Sequence, residues 1–119
     1  MPSQPDAKEF ANEWVAAWNS HDLNRIMSHY APNVVLTSPV VVKVLGESSG
    51  TVTGKEALRS YFAKGLDLFP DLQFSLLEVL QGISSVVLYY KNHKGTRTGE
   101  FMEFDKDGQV IRVVANYSD

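Results

Sequence analysis

The sequence contains no cysteine among its 119 residues. Disulfides, thiolate nucleophiles and cysteine-ligated metal sites are therefore excluded. It also lacks an apolar run long enough to cross a membrane, and its N-terminus carries no apolar signal region. We therefore expect a cytoplasmic protein with no membrane partner.

Positive charge is also scarce. Eleven Lys and Arg residues stand against fourteen Asp and Glu residues, which gives a formal net charge of −3 with no basic cluster. A nucleic-acid partner is not expected, because nucleic-acid-binding proteins carry a basic patch. The spacing of His21, His29 and His93 matches no metal-ligand pattern, so neither a metal nor a cofactor is expected. We interpret His21 as a helix cap and His93 as a turn residue, while His29 could reach the rim of a pocket.

The composition that is present is typical of a folded domain. Hydrophobic residues make up 44% and charged residues 21% of the chain, and the length fits one domain. We expect residues 1–5 to form a disordered tail and residues 6–119 to form a single domain.

The first 70 residues predict three amphipathic helices. Asp6 followed by Glu9 resembles a capping box and starts the first helix near Ala7. The second is expected to end at Ala31-Pro32, and the third to begin at a capping box over Thr53–Glu56 and to end before Pro70. The first two helical stripes contain Phe10, Trp14, Ala17 and Trp18, and then Leu23, Ile26, Met27 and Tyr30.

Strands are expected elsewhere. Val34–Leu36 is β-prone and ends near Pro39, whereas residues 40–53 are ambiguous: Val40–Leu45 could pair as a strand before a turn-rich segment. Four strands are predicted later, at Leu72–Leu80, Ser85–Lys91, Arg97–Phe104 and Val110–Tyr117. Their order indicates an α+β chain that ends in a meander.

The last hairpin can be registered from its turn. A two-residue loop at Asp107-Gly108 pairs Glu103 with Arg112. One face then carries Thr98, Glu100, Met102, Phe104, Ile111, Val113, Ala115 and Tyr117. The other face carries Phe101, Glu103, Val110, Arg112, Val114 and Asn116. Both faces are substantially apolar, so we expect a second copy of the chain to cover the outer face in a homodimer.

A similar turn at Lys94-Gly95 places Tyr89 opposite Glu100 on the helix-covered face. Glu100 is therefore the carboxylate expected to point into an apolar interior, where burial should raise its pKa and Tyr89 should hydrogen-bond to it. These two are the candidate catalytic residues, although Glu100 could equally be a satisfied structural carboxylate. The expected pocket-lining residues include Trp14, Trp18, Tyr30, Phe62, Met102, Val113 and Tyr117.

Several segments carry a resemblance to a known family. They are Ala17–Leu23 (AWNSHDL), Tyr30–Val34 (YAPNV), Ser38-Pro39, Thr53–Ala57 (TGKEA) and the closing hairpin. Over nearly its whole length the chain resembles the nuclear transport factor 2-like superfamily, in its SnoaL-like and ketosteroid-isomerase-like branch. The resemblance implies a cystatin-like α+β barrel, in which a cone-shaped, curved mixed or antiparallel sheet wraps around the N-terminal helices. It also implies a pocket between sheet and helices, and dimerisation through the outer face of the sheet.

The isomerase chemistry implied by the resemblance carries over only in part. In ketosteroid isomerases a tyrosine on the first helix and an acid on a late strand hold the oxyanion, and an aspartate before a proline shuttles the proton. The corresponding positions here are Trp14, Glu100 and Ser38, so only the late acid is kept. Ser38 is added to the expected pocket lining.

Two functions remain open from the sequence. The first is a small-molecule enzyme of isomerase, cyclase or dehydratase type that acts on an apolar molecule with Glu100 as acid or base. The second is a non-catalytic module for ligand binding or dimerisation. The superfamily contains both kinds of protein, so the resemblance does not choose between them.

Overall fold

The computed structural model describes residues 6–118, so the expected tail at residues 1–5 lies outside the described residues. The helices are α1 (Ala7–Ser20), α2 (Leu23–Met27), α3 (Pro39–Leu45) and α4 (Lys55–Leu68). The strands are β1 (Tyr30–Thr37), β2 (Thr51–Thr53), β3 (Ser75–Gln81), β4 (Ser85–Lys91), β5 (Arg97–Phe104) and β6 (Val110–Tyr117). No helix in this part of the chain is both long and apolar enough to span a membrane.

The strands form one mixed, curved sheet. Their order is β2-β1-β6-β5-β4-β3, with β1 and β6 parallel and the remaining pairs antiparallel. Helices α1 and α4 pack against one face of it, and the buried aromatic side chains lie between them and the sheet. The predicted α+β class, with a curved sheet around the N-terminal helices and a meander from β3 to β6, is confirmed.

Helix α1 begins and ends where the sequence predicts. The side chain of Asp6 accepts a hydrogen bond from the backbone N–H of Glu9 at 3.0 Å, which satisfies one of the free amides of the first turn. His21 ends the helix in the left-handed conformation, with φ of 59°, and its N–H bonds to the carbonyl of Trp18. Trp14 and Trp18 are buried on the face of this helix that packs against the core.

Helix α2 is shorter than expected. Asp22 caps it by accepting from the N–H of Arg25, but the helix ends at Met27, and Tyr30 already belongs to β1. The prediction that Ala31-Pro32 ends a helix is therefore wrong. Pro32 lies inside β1, where the pairing with β6 is irregular between Tyr30 and Val35, as is typical of a strand position that cannot donate a hydrogen bond.

Residues 39–45 form helix α3, so the possible strand at Val40–Leu45 is wrong. Ser38 caps this helix by accepting from the N–H of Val40 at 3.1 Å, and Pro39 occupies its first turn. Gly46 ends it with a φ of 71°. A cap, an N-terminal proline and a C-terminal glycine together outweigh the strand preference of the valines.

Helix α4 starts at Lys55 without the predicted capping box. Its N-cap is Gly54, and no side chain bonds to the helix start. Thr53 is instead held in β2, where it pairs with Val35. Strand β3 likewise begins at Ser75 and not at Leu72, because the N–H of Leu72 closes a turn onto Phe69.

The two hairpins on either side of β5 have three-residue loops and not the predicted two-residue loops. In the first, the N–H of Asn92 bonds to the carbonyl of Thr96, and Gly95 has a φ of 88°. In the second, the N–H of Asp105 bonds to the carbonyl of Gln109, and Gly108 has a φ of 79°. A left-handed glycine at the third loop position is typical of such loops.

The extra loop residue affects the two registers differently. Between β5 and β6 a shift after Glu103 compensates for it, so the predicted pair of Glu103 with Arg112 is confirmed. The shift also turns Val110 inward, where it is fully buried, so its predicted place on the outer face is wrong. Between β4 and β5 nothing compensates, and Glu100 pairs with Leu88.

Candidate active site

A cavity of about 480 Å³ lies between the concave face of the sheet and helices α1, α3 and α4. Its wall is mostly apolar, and its lining includes Trp14, Trp18, Leu36, Val40, Val44, Phe62, Phe69, Leu72 and Phe74. The exposed residues Lys43, His93 and Lys94 also border it, and we call them the mouth of the cavity. The volume suits a small organic ligand.

Aromatic rings form a continuous inner wall. Trp14 stacks on Phe74 with centroids 5.7 Å apart and planes within 7°, and Phe74 contacts Tyr90 at 4.5 Å. On the other side, Trp18 meets Phe62 edge-on at 4.7 Å. Rings packed in this way lose little freedom when a ligand binds, so the wall is suited to flat or branched apolar molecules.

Glu100 is the carboxylate in this wall. It lies on β5 with its side chain on the concave face, and only 6% of it is exposed. The hydroxyl of Tyr90 donates a hydrogen bond to its Oε1 at 2.5 Å. Burial raises the pKa of Glu100 to about 7, and the bond from Tyr90, which favours the ionised form, offsets this only in part. Near neutral pH the carboxyl can therefore give up or accept a proton.

Tyr89, the expected partner of Glu100, lies on the opposite face of the sheet. It pairs with Gly99, and its hydroxyl accepts a hydrogen bond from Nη1 of Arg97 at 3.0 Å. The prediction failed because the three-residue loop shifts the register by one, and side chains alternate between the faces of a strand. Tyr90 takes the place assigned to Tyr89. The signal that could have found it is the glycine at position 95, which marks the third residue of the loop.

A second polar group lines the cavity at the start of α3. Oγ of Ser38 donates to the hydroxyl of Tyr117 at 3.3 Å while it caps the helix. Burial raises the pKa of Tyr117, and it raises the pKa of Tyr61 to about 12; an ionised Glu100 adds to both effects. These hydroxyls keep their protons at neutral pH and can donate hydrogen bonds to a ligand oxygen.

The remaining predicted lining residues divide between the wall and the core. Trp14, Trp18, Ser38, Phe62 and Tyr117 line the cavity. Tyr30, Met102 and Val113 do not, because they are fully buried in the solid core beside it. Their predicted place in the lining is therefore corrected.

Tyr30 holds the indole of Trp14 in place. Nε1 of Trp14 donates to the Tyr30 hydroxyl at 3.0 Å, and burial raises the pKa of Tyr30. The N–H at the position of the isomerase tyrosine is thus bonded inside the protein. It is not directed at a ligand.

The three histidines occupy separate sites. Besides ending α1, His21 places Nε2 2.8 Å from the carbonyl oxygen of Leu72. His93 lies in the β4–β5 loop at the mouth of the cavity. His29 does not reach the cavity: its Nε2 lies 3.4 Å from Oε2 of Glu13, and burial lowers its pKa. Within residues 6–118 no three His, Asp or Glu side chains converge as a metal site requires.

Comparison with known proteins agrees with this architecture. The sequence profile of the SnoaL-like domain matches residues 11–116. The chain belongs to the SnoaL-like family. It is similar to a SnoaL-like protein of unknown function from Burkholderia thailandensis, with 38% identity over 100% of both chains and a TM-score of 0.93. The resemblance predicted from the sequence is confirmed at this level.

More distant structures share the fold. A protein of unknown function from Cytophaga hutchinsonii, described as nuclear transport factor 2-like, is 14% identical with a TM-score of 0.73, covering 99% of this SnoaL-like chain and 95% of its own. A candidate ketosteroid isomerase from Kribbella flavida is 18% identical with a TM-score of 0.74, covering 100% and 82%. A comparison with curated protein sequences gives no match. At these identities the two structures establish the fold alone.

Proposed function

We propose that this SnoaL-like protein binds a small, largely apolar molecule in the cavity and transfers a proton to or from it through Glu100. The observation that supports the proposal is a buried carboxyl in the cavity wall whose pKa of about 7 lies close to neutral pH. General acid–base catalysis is most effective when the pKa of the group is near the working pH. An ordinary surface glutamate does not meet that condition.

The reaction class that fits this group is proton removal from carbon next to a carbonyl. Isomerisation, aldol-type cyclisation and dehydration can each begin with it. The ionised Glu100 takes the proton, and the electron pair of the C–H bond moves onto the carbonyl oxygen. Hydroxyl donors must then stabilise that oxygen, and those of Tyr117 and Tyr61 border the same cavity.

A non-catalytic binding module is the second candidate. Ser38 stands where ketosteroid isomerases carry the base, and a serine hydroxyl cannot take a proton near neutral pH unaided. The indole N–H of Trp14 is already bonded to Tyr30. Under this alternative the aromatic wall supplies affinity, and Glu100 only orients the ligand.

Deuterium exchange separates the two candidates without knowledge of the natural substrate. A panel of cyclic ketones and enones is incubated with the protein in D₂O, and deuterium uptake is followed by mass spectrometry. We expect the wild type to exchange protons next to the carbonyl of at least one bound ketone, and Glu100→Gln to bind it without exchange. The matched control is Glu103→Gln. Glu103 lies opposite Arg112 in the sheet and is not part of the cavity lining. Binding without exchange by the wild type would favour the binding module.

We also propose that two copies associate through the outer face of the sheet. Val87, Phe101 and Val114 lie next to one another across β4, β5 and β6, and each is half-buried in the single chain. Leu80 on β3 pairs with Val87 and extends this apolar row, and 55% of it is exposed. Contiguous apolar surface of this kind is typical of an interface. A cytoplasmic location stays a prediction from the sequence.

A further inference from the structure

The mouth of the cavity carries charge opposite in sign to that of the whole protein. Lys43 on α3 and Lys94 in the β4–β5 loop both border it, with His93 beside them, in a chain whose formal net charge is −3. Glu100 is the only carboxylate among the described residues that line the cavity, and it lies in the buried wall. A ligand entering the cavity therefore meets cations at its opening.

Neither lysine forms an ion pair with another of the described residues. In the described part of the chain, the ion pairs within 4 Å both use Glu13, with Arg25 and with His29. Lys94 instead places Nζ 6.0 Å from the centre of the Phe69 ring, another residue of the cavity lining. Both ammonium groups are therefore available to an anion at the mouth.

We infer that the ligand is an amphipathic anion, with an apolar body against the tryptophan wall and a carboxylate or similar group beside Lys43 and Lys94. This inference rests on the proposed small-molecule function and adds the chemical class of the ligand. A neutral carbonyl group would then lie in the inner part of the cavity, with the carbon next to it at Glu100 and its oxygen toward the hydroxyls of Tyr61 and Tyr117.

The opposite orientation is disfavoured by the same chemistry. An anionic group in the buried wall would lose its hydration, and the described lining residues there supply no cation to replace it. At the mouth the group keeps part of its water, and the lysines that border the cavity there, Lys43 and Lys94, carry the opposite charge. Exposed pairs of this kind contribute modestly and weaken with salt, so they select the ligand class and orientation while the apolar wall supplies most of the affinity.

Decanoate and decanamide form a matched pair that tests the inference. They share an apolar chain and differ in charge, and their binding is measured by calorimetry and by the fluorescence of Trp14 and Trp18. At low salt we expect decanoate to bind the wild type about three- to tenfold more tightly than decanamide. In the double variant Lys43→Met/Lys94→Met this preference should be lost, so that decanoate binds no more tightly than decanamide to the same variant. Lys55→Met/Lys64→Met, with the same change in charge at positions outside this cavity, should keep it.

Each other outcome contradicts the inference in an identifiable way. Equal binding of acid and amide, with no effect of the lysine substitutions, would overturn the ligand class but leave the cavity as a binding site. If decanoate affinity does not depend on Lys43 and Lys94 but falls as Glu100 ionises, the carboxylate of the ligand lies beside Glu100 and not at the mouth, which contradicts the inferred orientation. Absence of binding by both probes would overturn the proposed small-molecule function itself, and the inference with it.

Discussion

Tyr90 and Glu100 are joined by a hydrogen bond of 2.5 Å that runs diagonally between β4 and β5. Replacing Tyr90 with Phe removes the donor that favours the ionised carboxylate. We expect the pKa of Glu100 to rise further above 7, because burial then acts without this opposing bond. Hydrogen bonds to charged groups contribute about 1.5–3 kcal/mol, so the free energy of unfolding at pH 8 should fall by about that amount. Carbon NMR titration of the carboxyl and chemical denaturation measure the two effects.

The matched control for this experiment is Tyr89→Phe. Its hydroxyl accepts a hydrogen bond from the exposed Arg97 on the other face of the sheet, so the change should leave the titration of Glu100 unaltered. A larger effect from Tyr89→Phe than from Tyr90→Phe would restore the register expected from the sequence and contradict the structure.

The pH dependence of stability should reveal Glu100 directly. Its pKa is about 7 in the folded protein against an ordinary value of 4.5, so the folded state holds a proton that the unfolded state releases. Stability contributed by this group is fully present below pH 4.5 and is lost as pH rises through 7. Each pH unit between the two values is worth about 1.4 kcal/mol, which gives a total of up to about 3 kcal/mol.

Glu100→Gln isolates that contribution. The variant cannot ionise at this position, so it should match the wild type near pH 4.5 and exceed it in free energy of unfolding by up to about 3 kcal/mol at pH 8. His29, whose pKa is lowered by burial, acts in the opposite direction but cancels in the difference between the two proteins. A difference that stays constant from pH 4.5 to 8 would mean that Glu100 titrates normally.

From the serine at position 38 we predict that the protein lacks steroid isomerase activity. The wild type should not isomerise 3-oxo-Δ5 steroids at a measurable rate, because the base of that reaction stands at the position of Ser38, whereas Glu100 stands at the position of the acid that holds the steroid oxygen. A general base contributes about 10²–10⁴-fold. Aspartate is also a good N-cap, so Ser38→Asp should keep α3 intact and increase any steroid turnover, followed by ultraviolet absorbance. Ser38→Asn, a cap without a base, is the control, and robust wild-type turnover would contradict the assignment of roles.

The proposed dimer makes a prediction about Val114. This side chain lies in the outer apolar row beside Phe101, so Val114→Asp should place an unpaired charge in the interface and yield monomer or aggregate in sedimentation velocity. A specific interface buries roughly 1,200 Å² or more in total. Ser60→Asp, at an exposed position on α4 on the other side of the sheet, should sediment like the wild type. If the wild type sediments as a monomer at micromolar concentration, the proposed dimer is wrong.

Local signals in the sequence were sufficient for much of the fold. The start of α1 at Asp6 and the bounds of β4, β5 and β6 follow from a side-chain cap and from short apolar runs between turns. Residues 39–45 could not be assigned in this way, because the strand preference of the valines and the capping by Ser38 point in opposite directions. Only the packed structure decides which of the two prevails.

The candidate site was harder to predict because it depends on a single loop residue. Glu100 could be placed on the concave face from the hairpin between β5 and β6, where a later irregularity cancels the error in loop length. The same error between β4 and β5 is not cancelled. As a result the sequence placed Tyr89 on the concave face beside Glu100, whereas the structure has Tyr90 there. Loop length is a local property, yet it determines which side chains share a face several residues away.

Gly65 offers a test of the cavity that is independent of Glu100. It lies within α4 and borders the cavity, and a Cβ built on it meets no heavy atom within 4 Å. Gly65→Ala should therefore raise the free energy of unfolding by about 0.5–1 kcal/mol, as expected for alanine in place of glycine in a helix interior, and leave ligand binding intact.

Gly65→Leu should keep most of this stability but place a branched side chain at the cavity, so that decanamide binds at least about tenfold more weakly. Chemical denaturation and calorimetry on the two variants separate helix propensity from occupancy of the cavity. Unchanged decanamide affinity in a stably folded Gly65→Leu protein would show that the ligand binds elsewhere.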